Sequence, residues 1–389
     1  MEGKRQLQII GDGARGRWLA WQWDDGRLGI EEIDATVALS RLEDALPRPA
    51  EDLEALGFDG ELARPDLEPH LALALSEALI PAELRRQIRE AASDGPLDLH
   101  VAPSRQCAQV PWGLLALDDQ RRLLDVADIS WIGPTLPRDL APDASPEPAP
   151  WEEARELPAL HILDPLSSRG QGSVLNPAGT RRWRDLGAGR PAATWRVQTG
   201  VGPGTLSALL TERQWSRLFL VAHVGVRQGD TILALSDELS ATRLLTGRQD
   251  GAEGQGGHHL WPMPPRVAVV ACASGLDLAQ PEPFGLATAF LANGANTVHA
   301  TLWTLPTDEA FERRGGPAAL SELAVAVDSA QTADRPVAAI NAWQRAKLHQ
   351  WRTDPSLTCA PLMWASVATI SAPNRRAAGS HPDESPLAE

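Results

Sequence analysis

RLFLVAHVG at residues 217–225 and RVAVVACASG at residues 266–275 are the two stretches whose reading decides the fold. Each opens on arginine and continues through an unbroken apolar run, without the polar alternation of a half-exposed strand. That is the pattern of central parallel strands buried on both faces. Each run then ends on a residue able to do chemistry, His223 in the first and Cys272 in the second. In an open parallel sheet the carboxyl ends of the strands face the ligand crevice, so neighbouring strands would bring this imidazole and this thiol into one cleft.

Outward from these runs the order stays regular. A helix, TLSALLTER, precedes the first; a polar stretch separates the two; a helix, PFGLATAFLANG, and a strand, NTVHATLW, follow the second. Alternating strands and helices predict an α/β fold, a mainly parallel sheet flanked by helices. Two further helices, PAALSELAVAVDSA and PVAAINAWQRAKLHQW, come next, the latter with Pro336 at its first position. A last strand, MWASVATI, is expected to close the sheet.

Toward the N-terminus, QLQIIGDGARGRWLAWQW reads as two strands around a glycine turn, and Leu67 to Ala92 carries helical periodicity. LDLHVAP, ADISWIGP and LPALHILDP read as three more strands. The opening is an N-terminal α+β elaboration. APDASPEPAP (141–150) and SSRGQGSVLNPAGTRR (167–182) have the composition of exposed connections. The expected division is residues 1–66 as a strand-rich elaboration, 67–372 as the main domain, and 373–389 as a tail with too few apolar residues to stay ordered.

Composition narrows the function classes. The chain has 389 residues, 43% hydrophobic and 22% charged, enough to bury a sizeable core. A formal charge of −15 opposes contact with phosphate backbones, which argues against nucleic acid as a partner. Cys107, Cys272 and Cys359 are odd in number and far apart, which fits neither a disulfide framework nor a CxxC site. No apolar run reaches the ~18 residues of a membrane span, and MEGKRQLQIIGDG lacks a signal peptide's apolar stretch. The expected location is the cytoplasm, without a membrane partner.

The pairing of His223 with Cys272 has a chemical reason. A free thiol with a pKa of about 8.5 is mostly protonated at neutral pH, and an adjacent imidazole can take its proton or stabilise the thiolate. A tetrahedral intermediate also needs N–H donors, which the turns around Gly225 and the Cys272 amide offer. Taken singly, a cysteine in an apolar strand is usually a core residue, and a strand-end histidine usually a satisfied one. The pair is the more specific signal.

LFLVAHVG, VAVVACASG, FGLATAFLANGANTVHATLW and APLMWASV follow in order the pattern of CHAT domains, and HVAPSRQCAQVPWGLL resembles that family's opening segment. The spacing of 49 residues between His223 and Cys272 also resembles the caspase-type order. The resemblance spans roughly Leu67 to Ser371 and implies a caspase-like cysteine peptidase. Carried over position by position, it implies His223 as the catalytic histidine, Cys272 as the nucleophile, and the Gly225 and Cys272 backbone as the oxyanion hole. It further implies intracellular proteolysis of a partner protein, as the effector of a bacterial regulatory, cell-death or antiphage defence system, gated by a separate sensor or activator. No metal or organic cofactor is required. The competing readings are a catalytically silent CHAT-like interaction module and a thiol hydrolase acting on a non-peptide ester or amide.

Asp230 and Asp277 lie near the dyad in sequence and are candidates for a pocket that takes a basic side chain. Other signals read as structure. Gly11-Asp12-Gly13-Ala14-Arg15-Gly16 satisfies GxGxxG, but RWLAWQW after it alternates as a strand, so a hairpin is expected instead of a dinucleotide site. His258 and His259 lack companion ligands at metal spacing. His161 and His299 are expected in the core, Cys107 and Cys359 as structural thiols, and Trp112, Trp303 and Trp364 as packing residues.

Overall fold

The computed structural model describes residues 6–12, 18–47, 57–134, 149–165, 174–175, 177–188, 195–198, 200–248, 256–270 and 285–372. Its strands are β1 (Gln6–Asp12), β2 (Trp18–Trp23), β3 (Leu28–Glu32), β4 (Leu97–Ala102), β5 (Ala127–Ile132), β6 (Ala159–Leu163), β7 (Trp195–Gln198), β8 (Arg217–Val221), β9 (His223–Arg227), β10 (Asp230–Ala234), β11 (Glu238–Ser240), β12 (Arg266–Val270), β13 (Thr297–Thr301) and β14 (Val367–Ser371). Eleven of them form one sheet in the order β3-β2-β1-β4-β5-β14-β13-β12-β8-β6-β7, and β9, β10 and β11 form a separate three-stranded sheet.

The mainly parallel α/β sheet with its N-terminal elaboration is as expected, and the elaboration joins the sheet directly, β1 pairing parallel with β4. The strands on either side of the GxGxxG segment pair antiparallel, with Asp12 opposite Trp18, as the hairpin reading expects; residues 13–17 lie outside those described. The helical stretch predicted from Leu67 to Ala92 divides into Glu68–Leu79 and Ala82–Ser93. Pro81 is the reason, since its ring excludes the preceding residue from helical geometry and Ile80 is extended, with ψ 103°.

Three expectations need correction. MWASVATI does not close the sheet; β14 stands sixth of eleven, antiparallel to β13 and parallel to β5. It joins a C-terminal half to an N-terminal half running the opposite way. SSRGQGSVLNPAGTRR is not all connection, because a helix spans Pro177–Ala188 and its Trp183 is 1% exposed. The polar stretch between the two deciding runs contains the hairpin sheet, whose outer face stays in solvent. The expected disorder of 373–389 concerns residues outside those described.

The seam between the halves is thin. β14 pairs with β5 only at Ile370–Trp131 and Ser371–Ile132. One turn earlier the Ile129 backbone is served by a side chain: Asn341, on helix Pro336–Thr353, accepts from Ile129 N and donates to Ile129 O, both at 3.1 Å. Pro336 opens that helix as predicted. From the same helix Gln344 donates to the Trp364 and Val367 carbonyls, binding the start of β14.

The amino ends of the central strands are clamped. Arg217, opening β8, and His161 of the neighbouring β6 both donate to Asp328 Oδ1 of helix Ala319–Thr332, at 3.2 and 2.8 Å. Arg266, opening β12, donates to the Gln331 and Ala333 carbonyls and lies 3.4 Å from the Trp151 ring centroid. Burial lowers its guanidinium pKa to about 10. These contacts explain why both deciding runs begin with arginine. The opposite, carboxyl-terminal edge is left for chemistry.

Candidate active site

β8 and β12 are adjacent, parallel and in register from Arg217–Arg266 to Val221–Val270, and every residue of both is buried. Full burial on both faces is why their sequences are continuous apolar runs. β6 flanks β8 with Leu163 opposite Val221, and β13 flanks β12 with Ala300 opposite Val269. Four parallel strands therefore finish along one edge. This is the edge at which the sequence reading expects a crevice.

His223 stands at that edge, half-buried, but not as the last residue of β8. β8 stops at Val221, Ala222 breaks the ladder, and His223 opens β9, where it pairs with Ala234 of β10. The imidazole is thus carried by the first residue of a hairpin that leaves the crevice. Val224 anchors that hairpin, buried beside Leu233. Cys272 lies outside the described residues, two positions after Val270 in sequence, as does Asp277.

Gly225 pairs with Ile232 on the same hairpin and is exposed. Its backbone is not left-handed, and a Cβ there would meet nothing within 4 Å. Among the described residues, neither conformation nor packing demands glycine at this position.

Asp230 is not beside His223. It lies across from Arg227 at the far end of the hairpin, four residues along, or roughly 13 Å at about 3.3 Å per residue. The two-residue turn between them has Gln228 at φ 51° and Gly229 at φ 83°, the left-handed pair that tight hairpins require. The Asp230 carboxylate accepts from Thr242 N at 3.2 Å, tying the hairpin to helix Ala241–Thr246.

A carboxylate that sequence reasoning passed over is closer. Asp164 follows the last residue of β6, half-exposed, and its N–H donates to Val221 O at 2.7 Å. It is one of two described non-glycine residues with positive φ, at 48°, and its Oδ1 accepts from Val174 N at 2.9 Å. A strained backbone held by two hydrogen bonds at a crevice is a functional hint. The sequence signal was present: LHILDP is another apolar run ending on a polar residue.

The discounted residues fall where expected. His161 and His299 are 0% and 1% exposed, Cys107 and Cys359 are buried, and Trp112, Trp303 and Trp364 are core residues. His258 and His259 are the exception: the sequence reads as a solvated glycine-rich loop, but they lie on a short helix, Gly257–Leu260, with ring centroids 4.0 Å apart and ring planes tilted by 43°. Among the described residues no helix is long and apolar enough to cross a membrane.

No protein-family model and no curated protein matches the chain. Its structure is similar to solved ones. Two crystal structures of the Saccharomyces cerevisiae separase–securin complex align over 94% of this chain, with TM-scores of 0.56 and 0.55 at 10% and 9% identity. The chain covers 30% of the matched chain in each. Gingipain R, an Arg-specific cysteine proteinase, aligns over 75% of this chain and 67% of its own at a TM-score of 0.46 and 12% identity. At this level of identity the likeness to the separase chain is one of fold alone.

Proposed function

We propose that this chain is a CHAT-type cysteine endopeptidase that cleaves a partner protein through His223 and Cys272. The observation carrying this reading is the register of β8 with β12, which ends the two strands side by side at Val221 and Val270. Each proposed catalytic residue follows its strand by two positions. Cys272 Sγ attacks the scissile carbonyl carbon, the peptide C–N bond breaks, and His223 hands the thiol's proton to the departing amine. A water molecule then cleaves the thioester, releasing the acid and restoring the thiol. N–H groups of Gly225 and Cys272 stabilise the oxyanion in both steps.

A basic side chain before the cut is the substrate feature we assign. Asp164 supports it better than Asp230, because its backbone is bonded to the strand that precedes His223. Asp277 keeps its proposed place in that pocket by sequence alone. The wider role we assign is that of effector in a bacterial regulatory, cell-death or antiphage defence system. It would act in the cytoplasm and be switched on by a separate sensor or activator protein.

The test is co-expression with candidate partner proteins, comparing wild type with Cys272→Ala and His223→Ala. Cleavage lost in both variants supports the dyad. If no partner is cut and a peptide electrophile leaves Cys272 unlabelled in the presence of each candidate activator, the peptidase reading fails and the silent interaction module replaces it.

A further inference from the structure

Among the described residues, no element covers the β3 edge of the large sheet or one face of the strands beside it. β4 shows it first: Leu97, Leu99 and Val101 are buried, while Asp98, His100 and Ala102 alternate with them half-exposed. The pairs Gln8–His100, Gln8–Gln22, Gln22–Leu28, Ala20–Ile30 and Trp18–Glu32 carry this second face across β1 and β2 to β3. On it Trp18, Ile30 and Leu28 are 43%, 65% and 75% exposed. Three large apolar side chains contiguous at a sheet edge are costly to leave in water. Behind them a concavity of about 770 Å³ reaches from Gln22 and Asp24 to Asp98 and the start of helix Pro336–Thr353.

The edge is built, not frayed. The Trp21 ring lies against Gly29, occupying the space a side chain would need there, and holds β3 onto β2. The indoles of Trp21 and Trp23 in turn donate to Gln87 Oε1 at 3.1 and 2.7 Å, fixing the hairpin to helix Ala82–Ser93. β3 also carries two exposed carboxylates, Glu31 and Glu32, neither paired with a cation among the described residues. Asp24 adds a third nearby, on the concavity.

We propose that β3 and the face behind it dock a partner protein by strand addition, the incoming segment alternating aliphatic and basic residues. Aliphatic side chains on the open face would cover Leu28 and Ile30; basic ones on the other face would meet Glu31. A basic residue near the strand's end would meet Glu32. Charge complementarity selects this occupant over a second copy, because two chains of −15 repel and self-pairing supplies no cation for these carboxylates. The surface is seven strand steps from β12, roughly 34 Å at about 4.8 Å per step, so docking leaves the crevice open.

The test uses a fluorescent peptide of alternating valine and lysine, the same peptide with glutamate for lysine, and a form N-methylated at alternate residues. The lysine peptide binds; the glutamate and N-methylated peptides do not. The variant Leu28→Ser/Ile30→Ser and the variant Glu31→Gln/Glu32→Gln each weaken binding by about tenfold, as expected for two cross-strand pairs. Amide exchange slows at residues 28–32 on binding. Absent binding, equal binding of the glutamate peptide, variants that bind as wild type, or protection confined to another region would each overturn the proposal. So would a wild-type dimer, measured by light scattering, that Ile30→Lys returns to monomer.

Discussion

Val221 of β8 and Val270 of β12 are Cα partners at the carboxyl ends of two adjacent parallel strands. Parallel strands have no turn to align them, so this register is set by the side chains packed on both faces and by the arginines that anchor both strands to helix Ala319–Thr332. A one-residue slip would send each side chain to the opposite face. The proposed chemistry depends on this register being held.

Replacing either member of the proposed dyad should abolish or sharply slow cleavage without unfolding the chain. Cys272→Ala should leave no turnover, while His223→Ala should slow it by about 10²–10⁴-fold, the usual contribution of a positioned acid–base group. Initial rates on the cleaved partner, with circular dichroism as the fold control, measure both. Equal activity in His223→Ala would remove His223 from the mechanism.

The seam at β5 and β14 should be sensitive to Asn341. Asn341→Leu keeps the branched shape of the side chain but leaves the Ile129 N–H and C=O without the partner they have now. Two orphaned buried backbone groups cost about 1–3 kcal/mol each, so a loss of roughly 2–6 kcal/mol in urea unfolding is expected. Asn341→Asp can accept from Ile129 N but no longer donate to Ile129 O, and should also fall below wild type.

Much of this was legible beforehand, and unevenly so. β8 and β12 stood out because full burial writes an apolar run into the sequence, and the β1–β2 hairpin because RWLAWQW alternates. β9 and β10 did not, since only alternate residues such as Val224 and Leu233 reach the core and the rest reads as polar loop. The helix Pro177–Ala188 was hidden by the Pro, Gly and Arg around its buried Trp183. The central place of β14 is a matter of spatial order, which local sequence does not encode. Asp164 carried the same strand-end signal as His223 and went unread because aspartate before proline also reads as an ordinary turn.

Asp328 should be the most costly single residue to remove at the amino ends of the central strands. It receives His161 Nε2 and Arg217 in a site where all three side chains are buried, with Trp183 and Phe219 packed on the imidazole. Asp328→Ala takes this carboxylate away from a buried guanidinium, and breaking such a pair costs about 3–5 kcal/mol. Denaturant unfolding of Asp328→Ala and of Asp328→Ala/Arg217→Leu measures this. The double variant should recover part of the loss, since it also removes the buried positive charge that Asp328 faced.

Stability should also fall with acidity because of His299. Its imidazole is fully buried in β13, and burial first, then the nearby Arg266 charge, lowers its pKa to about 3. The unfolded chain protonates this histidine near its ordinary 6.5 while the folded chain does not, so the unfolded state binds the extra proton between those values. Stability from this group is complete above pH 6.5 and declines as pH falls toward 3. Between pH 6.5 and 4 the difference is roughly 3 kcal/mol at 1.36 kcal/mol per pH unit. His299→Leu removes this contribution, so its unfolding free energy should depend less on pH than that of wild type over this range. Parallel curves would refute the assignment.

Asp164 and Asp230 make opposite predictions for substrate choice. If the residue before the cut is basic and reads Asp164, then Asp164→Asn should lower kcat/KM for Arg or Lys substrates by about 100-fold or more, the scale of losing one partner of a buried charge pair. A neutral residue at the cut should be affected far less. Asp164→Asn retains the backbone bond to Val221 O and an oxygen able to accept from Val174 N, so the strand end should keep its shape. Asp230→Asn, at the hairpin's far end and bonded to Thr242 N, should leave the Arg preference intact. The reverse outcome would place the pocket on the hairpin side of His223 instead of the β6 side. A cut after an uncharged residue in the natural partner would dismiss both carboxylates as specificity determinants.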